Sequence, residues 1–233
     1  MKKALVTGAN QGIGSGFVEY LLENNWKVFA TTRKETKDVY QHANLTWLPL
    51  ELTSDKSITH LVEVVTQTVD SLDLLVNNAG INKDTATGNQ KEKVGTFGYL
   101  DRTMLLEMFN VNAVAPLLLT EKLLPLLTTS PSFVVNISSC RASFHDEFEN
   151  DFGNYGYRAS KVALNMFTFC SVKDLSQNVQ TYAVHPGTVQ SQMNPGGSDT
   201  PYNAAKQILA IRDNWDESMN GRFFRYSGEL YPL

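Results

Sequence analysis

Over the first 80 residues, short apolar runs alternate with amphipathic stretches, the pattern of repeated βα units and of a parallel sheet covered on both faces. Residues 3–7 (Lys-Ala-Leu-Val-Thr) read as a first strand, 12–24 as a helix, 26–32 as a second strand and 45–50 as a third, with a shorter helix over 35–42. Ser54, with Ser57 three residues on, opens a helix carrying Ile58, Leu61, Val62, Val65 and Val69 at helical spacing. Residues 72–76 read as strand four. The pattern then loosens over 81–100, where Gly88, Gly95, Gly98 and many polar residues mark a long surface loop. Helix returns over 101–127, with a kink expected at Pro116. Strands follow at 133–137 and 179–184 around a helix at 157–175, and the tail carries a helix near 202–212 and a last strand near 221–226.

Seven strands and about six helices, without a linker or an internal repeat, predict one α/β domain over 1–233: a doubly wound, mostly parallel seven-stranded sheet with helices on both faces. At 233 residues the chain fits a single core of that kind. Its net charge of -4, with no Lys/Arg run, gives no footprint for nucleic acid. The apolar stretch after Met-Lys-Lys is too short for a signal peptide, and no segment approaches the ~18 apolar residues of a membrane span. Cys140 and Cys170 form no CxxC pair and no Cys/His cluster, so a reduced, cytoplasmic protein with no bound metal is expected.

The candidate chemistry lies at strand ends. Thr7-Gly8-Ala9-Asn10-Gln11-Gly12-Ile13-Gly14 follows strand one, where glycines let the backbone approach a pyrophosphate and the helix N-terminus offers free N–H groups. The spacing is GxxxGxG, neither GxGxxG nor a Walker A loop, and a glycine turn with no ligand would read the same way. Tyr157-Arg-Ala-Ser-Lys161 sets a phenol and an ammonium four apart on one helix face, a pair able to handle protons near neutral pH, although YxxxK also fits a solvated face. Ser138-Ser139 sits at a strand's carboxyl end, where doubly wound folds bind ligands, and no GxSxG elbow makes it a nucleophile. His185, directly before Pro186, reads as structural.

Together these residues resemble the short-chain dehydrogenase/reductase family, whose Rossmann fold runs in the same order, and within it the C-factor and carbonyl-reductase-like branch. The resemblance is carried by Gly8, Gly12, Ile13 and Gly14, by Asn77-Asn78-Ala79-Gly80 after strand four, by Asn112, by Ser139 with Tyr157 and Lys161, and by Pro186-Gly187-Thr188-Val189-Gln190-Ser191. It implies an NADP(H)-dependent oxidoreductase that interconverts a carbonyl and an alcohol. Tyr157 would then be the proton donor, with Lys161 lowering its pKa and holding the nicotinamide ribose. Ser139 would bind the carbonyl oxygen, and Asn112 would hold a water next to Lys161.

Asn10, Gln11, Thr32, Arg33, Leu52, Asn78, Ala79, Gly80, Pro186, Gly187, Val189 and Ser191 would line the cofactor with the loop glycines. Strand two ends in Thr32-Arg33-Lys34 with no acid, favouring NADP over NAD, although Gln11 stands where many NADP-preferring relatives carry a basic residue. Relatives also imply a small-molecule substrate and a homodimer or homotetramer. Loops 81–100 and 190–202 would shape substrate choice. Asp146, Glu147, Glu149 and Asp151 would flank the substrate mouth, and Cys140 would pack as a buried thiol. The alternative is a non-catalytic dinucleotide-binding module, against which the set Asn112, Ser139, Tyr157 and Lys161 argues.

Overall fold

The computed structural model describes residues 1–33, 40–84, 95–145 and 153–233. Its seven strands are β1 (Lys3–Val6), β2 (Lys27–Thr32), β3 (Leu45–Pro49), β4 (Leu74–Asn77), β5 (Ser132–Ile137), β6 (Val179–His185) and β7 (Phe223–Arg225). They form one sheet in the order β3-β2-β1-β4-β5-β6-β7, with every neighbouring pair parallel rather than mostly so. The helices are α1 (Gly12–Glu23), α2 (Asp55–Thr68), α3 (Arg102–Phe109), α4 (Ala115–Leu127), α5 (Tyr155–Ser171) and α6 (Pro201–Ala210).

Successive strand residues point to opposite faces, and here both are apolar. Ala4 and Val6 of β1, with Leu74 and Val76 of β4, join a core that includes Phe17 and Leu21 of α1 and Ile208 of α6. Leu5 and Leu75 lie on the other face with Leu61 of α2 and Leu119 and Leu123 of α4. Burial on both faces is why these strands read as continuous apolar runs. On the α1 side the layers meet closely: a β-carbon at Gly16 would lie 2.0 Å from the Pro201 carbonyl oxygen of α6.

The chain winds outward from β1 to β3 and returns to place β4 beside β1, so the strand order reverses between those two. The carboxyl ends there open the crevice in which such sheets hold ligands.

Several elements differ from the sequence reading. The expected helix over 35–42 falls largely outside the described residues, and Tyr40, Gln41 and His42 are not helical. The helix expected over 101–127 divides into α3, a π-helical turn at Asn110–Val114, and α4. Pro116 accounts for the break: it has no N–H, and its ring crowds the carbonyl four residues back, that of Asn112. Arg102–Leu127 is also long and apolar enough in composition to cross a membrane, correcting the expectation that no segment comes near such a span. Its buried side, including Leu119, Leu123, Leu126 and Leu127, belongs to the core beneath the sheet. The helix bearing the tyrosine starts two residues earlier than read, at Tyr155, and ends at Ser171.

Candidate active site

The glycine loop is built by its backbone. Gly8 and Gly12 have φ of 62° and 54°, the left-handed region open to glycine. The Gly8 N–H donates to Thr31 Oγ1 at 3.2 Å and the Ala9 N–H to the Thr31 carbonyl at 2.8 Å, tying the loop to the end of β2. Thr7, buried at the end of β1, accepts at its hydroxyl from the Asn78 and Ala79 N–H groups, each at 3.0 Å. The Asn78 amide returns two bonds to the carbonyls of Thr7 and Gly8, at 2.8 and 3.0 Å. The turns after β1 and β4 are thus cross-linked at the strand-order reversal. The sequence reading placed Asn78 here but gave Thr7 no role, although a hydroxyl at a buried strand end was a usable signal.

At the other end of the crevice stand Ser139, Tyr157 and Lys161. Ser139 follows β5, and its Oγ accepts the Arg141 N–H at 3.2 Å. Its side chain lines the same cavity as that of Tyr157 and counts among the groups that lower the phenol's pKa. Tyr157 and Lys161 share the buried face of α5, and Lys161 Nζ lies 5.8 Å from the centre of the Tyr157 ring. That ammonium donates to the Ile137 carbonyl at 2.7 Å.

Asn112 is fully buried in the π turn. Its amide donates to the Ile81 carbonyl and to Ser160 Oγ, and its oxygen accepts the Ile81 N–H at 2.8 Å. Its side chain therefore clamps the segment after β4 to the π turn. A β-carbon at Gly80 would stand 3.2 Å from Asn112 Oδ1 and 3.4 Å from Lys161 Nζ, so glycine there leaves the ammonium room.

Burial raises the Tyr157 phenol above its ordinary range, and the Ser139 hydroxyl and the Arg141 charge oppose this without overcoming it. The Lys161 ammonium is directed at the Ile137 carbonyl. Burial also lowers Lys161, from 10.5 to about 8.

The Lys161 shift makes a prediction for stability. Between pH 8 and 10.5 the unfolded chain binds more protons at this lysine than the folded chain, so its contribution to stability rises with pH across that window and is fully unfavourable below it. A shift of roughly 2.5 units is worth about 3 kcal/mol, from which the lost Ile137 hydrogen bond subtracts about 1. Lys161→Met is therefore expected to be about 1–3 kcal/mol more stable than the wild type at pH 7, the gap closing towards pH 10. Urea unfolding at pH 7 and 9.5 checks it, and a gap independent of pH would contradict it.

A cavity of about 550 Å³ runs along the crevice. Every residue assigned from the sequence to catalysis or to the cofactor lines it, from Gly8 and Arg33 through Leu52 and Tyr157 to Ser191, except Gly14 and Asn112, which stand behind the wall. Arg33 is at its exposed edge. Arg141 and Cys140 also line it and were not foreseen there, and so does Met193 of the loop 190–202. Cys140 packs by the cluster of Ala183, Phe223 and Tyr231. His185 lines the cavity too, its ring edge-on to Tyr231 at 5.6 Å. Lys34, the acids at 146–151 and residues 85–94 of the first substrate loop lie outside the described residues.

Comparison with known proteins agrees with this geometry. The family model described as short chain dehydrogenase matches residues 2–201. The structure of an NADPH-bound carbonyl reductase from chicken fatty liver is 31% identical with a TM-score of 0.87, covering 100% of this chain and 99% of its own. The carbonyl reductase Sniffer of D. melanogaster is 27% identical with a TM-score of 0.85, covering all of both chains. The C-signal protein of Myxococcus xanthus is 32% identical over 69% of this chain and 92% of its own length. The chain belongs to the short-chain dehydrogenase family of NAD(P)-dependent oxidoreductases.

Proposed function

We propose that the protein reduces the carbonyl of a small ketone or aldehyde to an alcohol with NADPH. The observation that carries this reading is the convergence of the buried Ser139, Tyr157 and Lys161 side chains in the cavity that the glycine loop also lines. The cradle suits a dinucleotide: Gly8, Gly12 and Ile13 line the cavity where α1 begins without a side-chain cap, a setting in which helix N–H groups hold a pyrophosphate. When bound, NADPH supplies the hydride.

The protein's own groups do the rest. Ser139 donates to the carbonyl oxygen, and Tyr157 delivers a proton to it as negative charge develops. With the dinucleotide bound, Lys161, fixed by Ile137, would hold the ribose hydroxyls and Leu52 would lie by the adenine. Absorbance of NADPH and of NADH, followed over a panel of ketones and aldehydes, tests the reading; no turnover with any of them would refute it.

Arg33, at the exposed edge beside Thr32, is assigned to the 2′-phosphate. Arg33→Ala is expected to weaken NADPH about tenfold, the size of one charge-assisted hydrogen bond, while leaving NADH within twofold. Fluorescence titration with both dinucleotides measures the ratio, and an unchanged ratio removes the assignment.

A further inference from the structure

The helix that carries Tyr157 and Lys161 begins without a cap of its own. The residue before α5, Asn154, is in the left-handed conformation, makes no side-chain capping bond, and leaves its Oδ1 buried without a partner. A capping oxygen would ordinarily accept the N–H of the second or third helical residue, and the third residue here is Tyr157 itself. That N–H is satisfied from 73 residues away: it donates to Asp84 Oδ2 at 2.8 Å in a buried contact. Asp84 is only 6% exposed.

Asp84 is held in place from several sides. Its own N–H donates to Asn82 Oδ1 at 3.1 Å. The Lys83 N–H donates to Met108 Sδ, and the methyl of the same Met108 lies against Gly156, the second residue of α5. Gly95 packs so closely on the aspartate that a β-carbon there would come within 2.7 Å of Asp84 Cβ. At the near end of the segment, Asn112 grips Ile81 with two hydrogen bonds. The segment following Gly80 is thus anchored at the π turn and reaches the first turn of α5 at Asp84.

We propose that Asp84 is a positioning residue for Tyr157: its carboxylate is the N-terminal cap of α5, supplied by the segment after β4, and it fixes the turn that aims the phenol at Ser139. The carboxylate also faces the positive end of the helix. Lys161, one turn further on, has its own anchor at Ile137, and the glycine loop has no contact with Asp84, so loss of the cap should disturb proton delivery and leave the dinucleotide site intact. The functional half of this proposal rests on the carbonyl-reductase reading above.

The test uses the full chain with Asp84→Ala and Asp84→Asn, the latter keeping an acceptor oxygen, and three readouts. These are amide hydrogen exchange of the segment 153–160, NADPH affinity by fluorescence, and kcat for 4-nitrobenzaldehyde or the best substrate of the panel. Asp84→Ala is expected to exchange at least tenfold faster in that segment and to lose about tenfold in kcat, with NADPH affinity within twofold. Asp84→Asn should recover most of both losses. If Asp84→Ala does not fold, the same comparison is made with Asp84→Ser.

Unchanged exchange in Asp84→Ala overturns the cap. Faster exchange with wild-type kcat, or equal losses in kcat and NADPH affinity, overturns the positioning role. Accelerated exchange in a protein whose wild type turns over no carbonyl would retain the cap but remove the catalytic reading, and with it the role in proton delivery, so the two failures are distinguishable.

Discussion

Tyr157→Phe is expected to lower kcat for carbonyl reduction by roughly 10²- to 10⁴-fold, the worth of one well-placed general acid, while NADPH affinity stays within about twofold. The ring of Tyr157 stays buried on α5 whether or not the oxygen is present. Phenylalanine therefore keeps the packing and removes only the hydroxyl and its proton. The other groups proposed to hold the dinucleotide, among them the backbone of the glycine loop, Lys161 and Arg33, would not depend on the Tyr157 oxygen. Single-turnover absorbance with saturating NADPH separates binding from chemistry. Reduction by the variant at the wild-type rate would take the proton-donor role from Tyr157, and a parallel loss of NADPH binding would show that the residue serves the site as a wall.

How much of this was legible in the sequence follows from what each feature depends on. The glycine loop, the YxxxK pair and Ser139 were readable because each is local. Gly8 and Gly12 supply their own backbone freedom, four residues on a helix share a face whatever surrounds it, and a serine after an apolar strand lands at the crevice by topology. The doubly wound, seven-stranded sheet followed from the alternation of apolar runs.

The electrostatics were not readable, because they depend on depth and on partners far along the chain. The spacing of Tyr157 and Lys161 was readable, but the lysine's hydrogen bond to Ile137, 24 residues away, and the burial that raises the phenol's pKa were not. Asp84 reaches Tyr157 across 73 residues, a pairing no local pattern encodes. Asn112 lies between: Pro116 announced an irregularity four residues later, yet the grip on Ile81 appears only once the π turn brings the two segments together.

Gly14→Ala is expected to weaken dinucleotide binding by up to about 100-fold and to lower the melting temperature by several degrees, although alanine is otherwise a good helix residue. Gly14 does not itself line the cavity; it underlies the loop that does. A β-carbon there would stand 2.3 Å from the Gly8 carbonyl oxygen, 2.6 Å from Asn78 Nδ2 and 2.9 Å from Ala9 Cα. Two of those three atoms are backbone, and the third is the amide that joins the turns after β1 and β4, so no rotamer change relieves the overlap. Overpacking of this kind costs about 1–3 kcal/mol, and the upper end corresponds to about 100-fold in affinity when the displaced groups are those facing the ligand. Gly196→Ala provides the contrast: nothing lies within 4 Å of its β-carbon position and its φ is not positive, so it should melt with the wild type. Calorimetry and NADPH titration on both variants decide the matter. Equal behaviour of the two would mean that the glycine at position 14 is not packed beneath the loop, and that the cradle owes its shape to something other than the contact between the two turns.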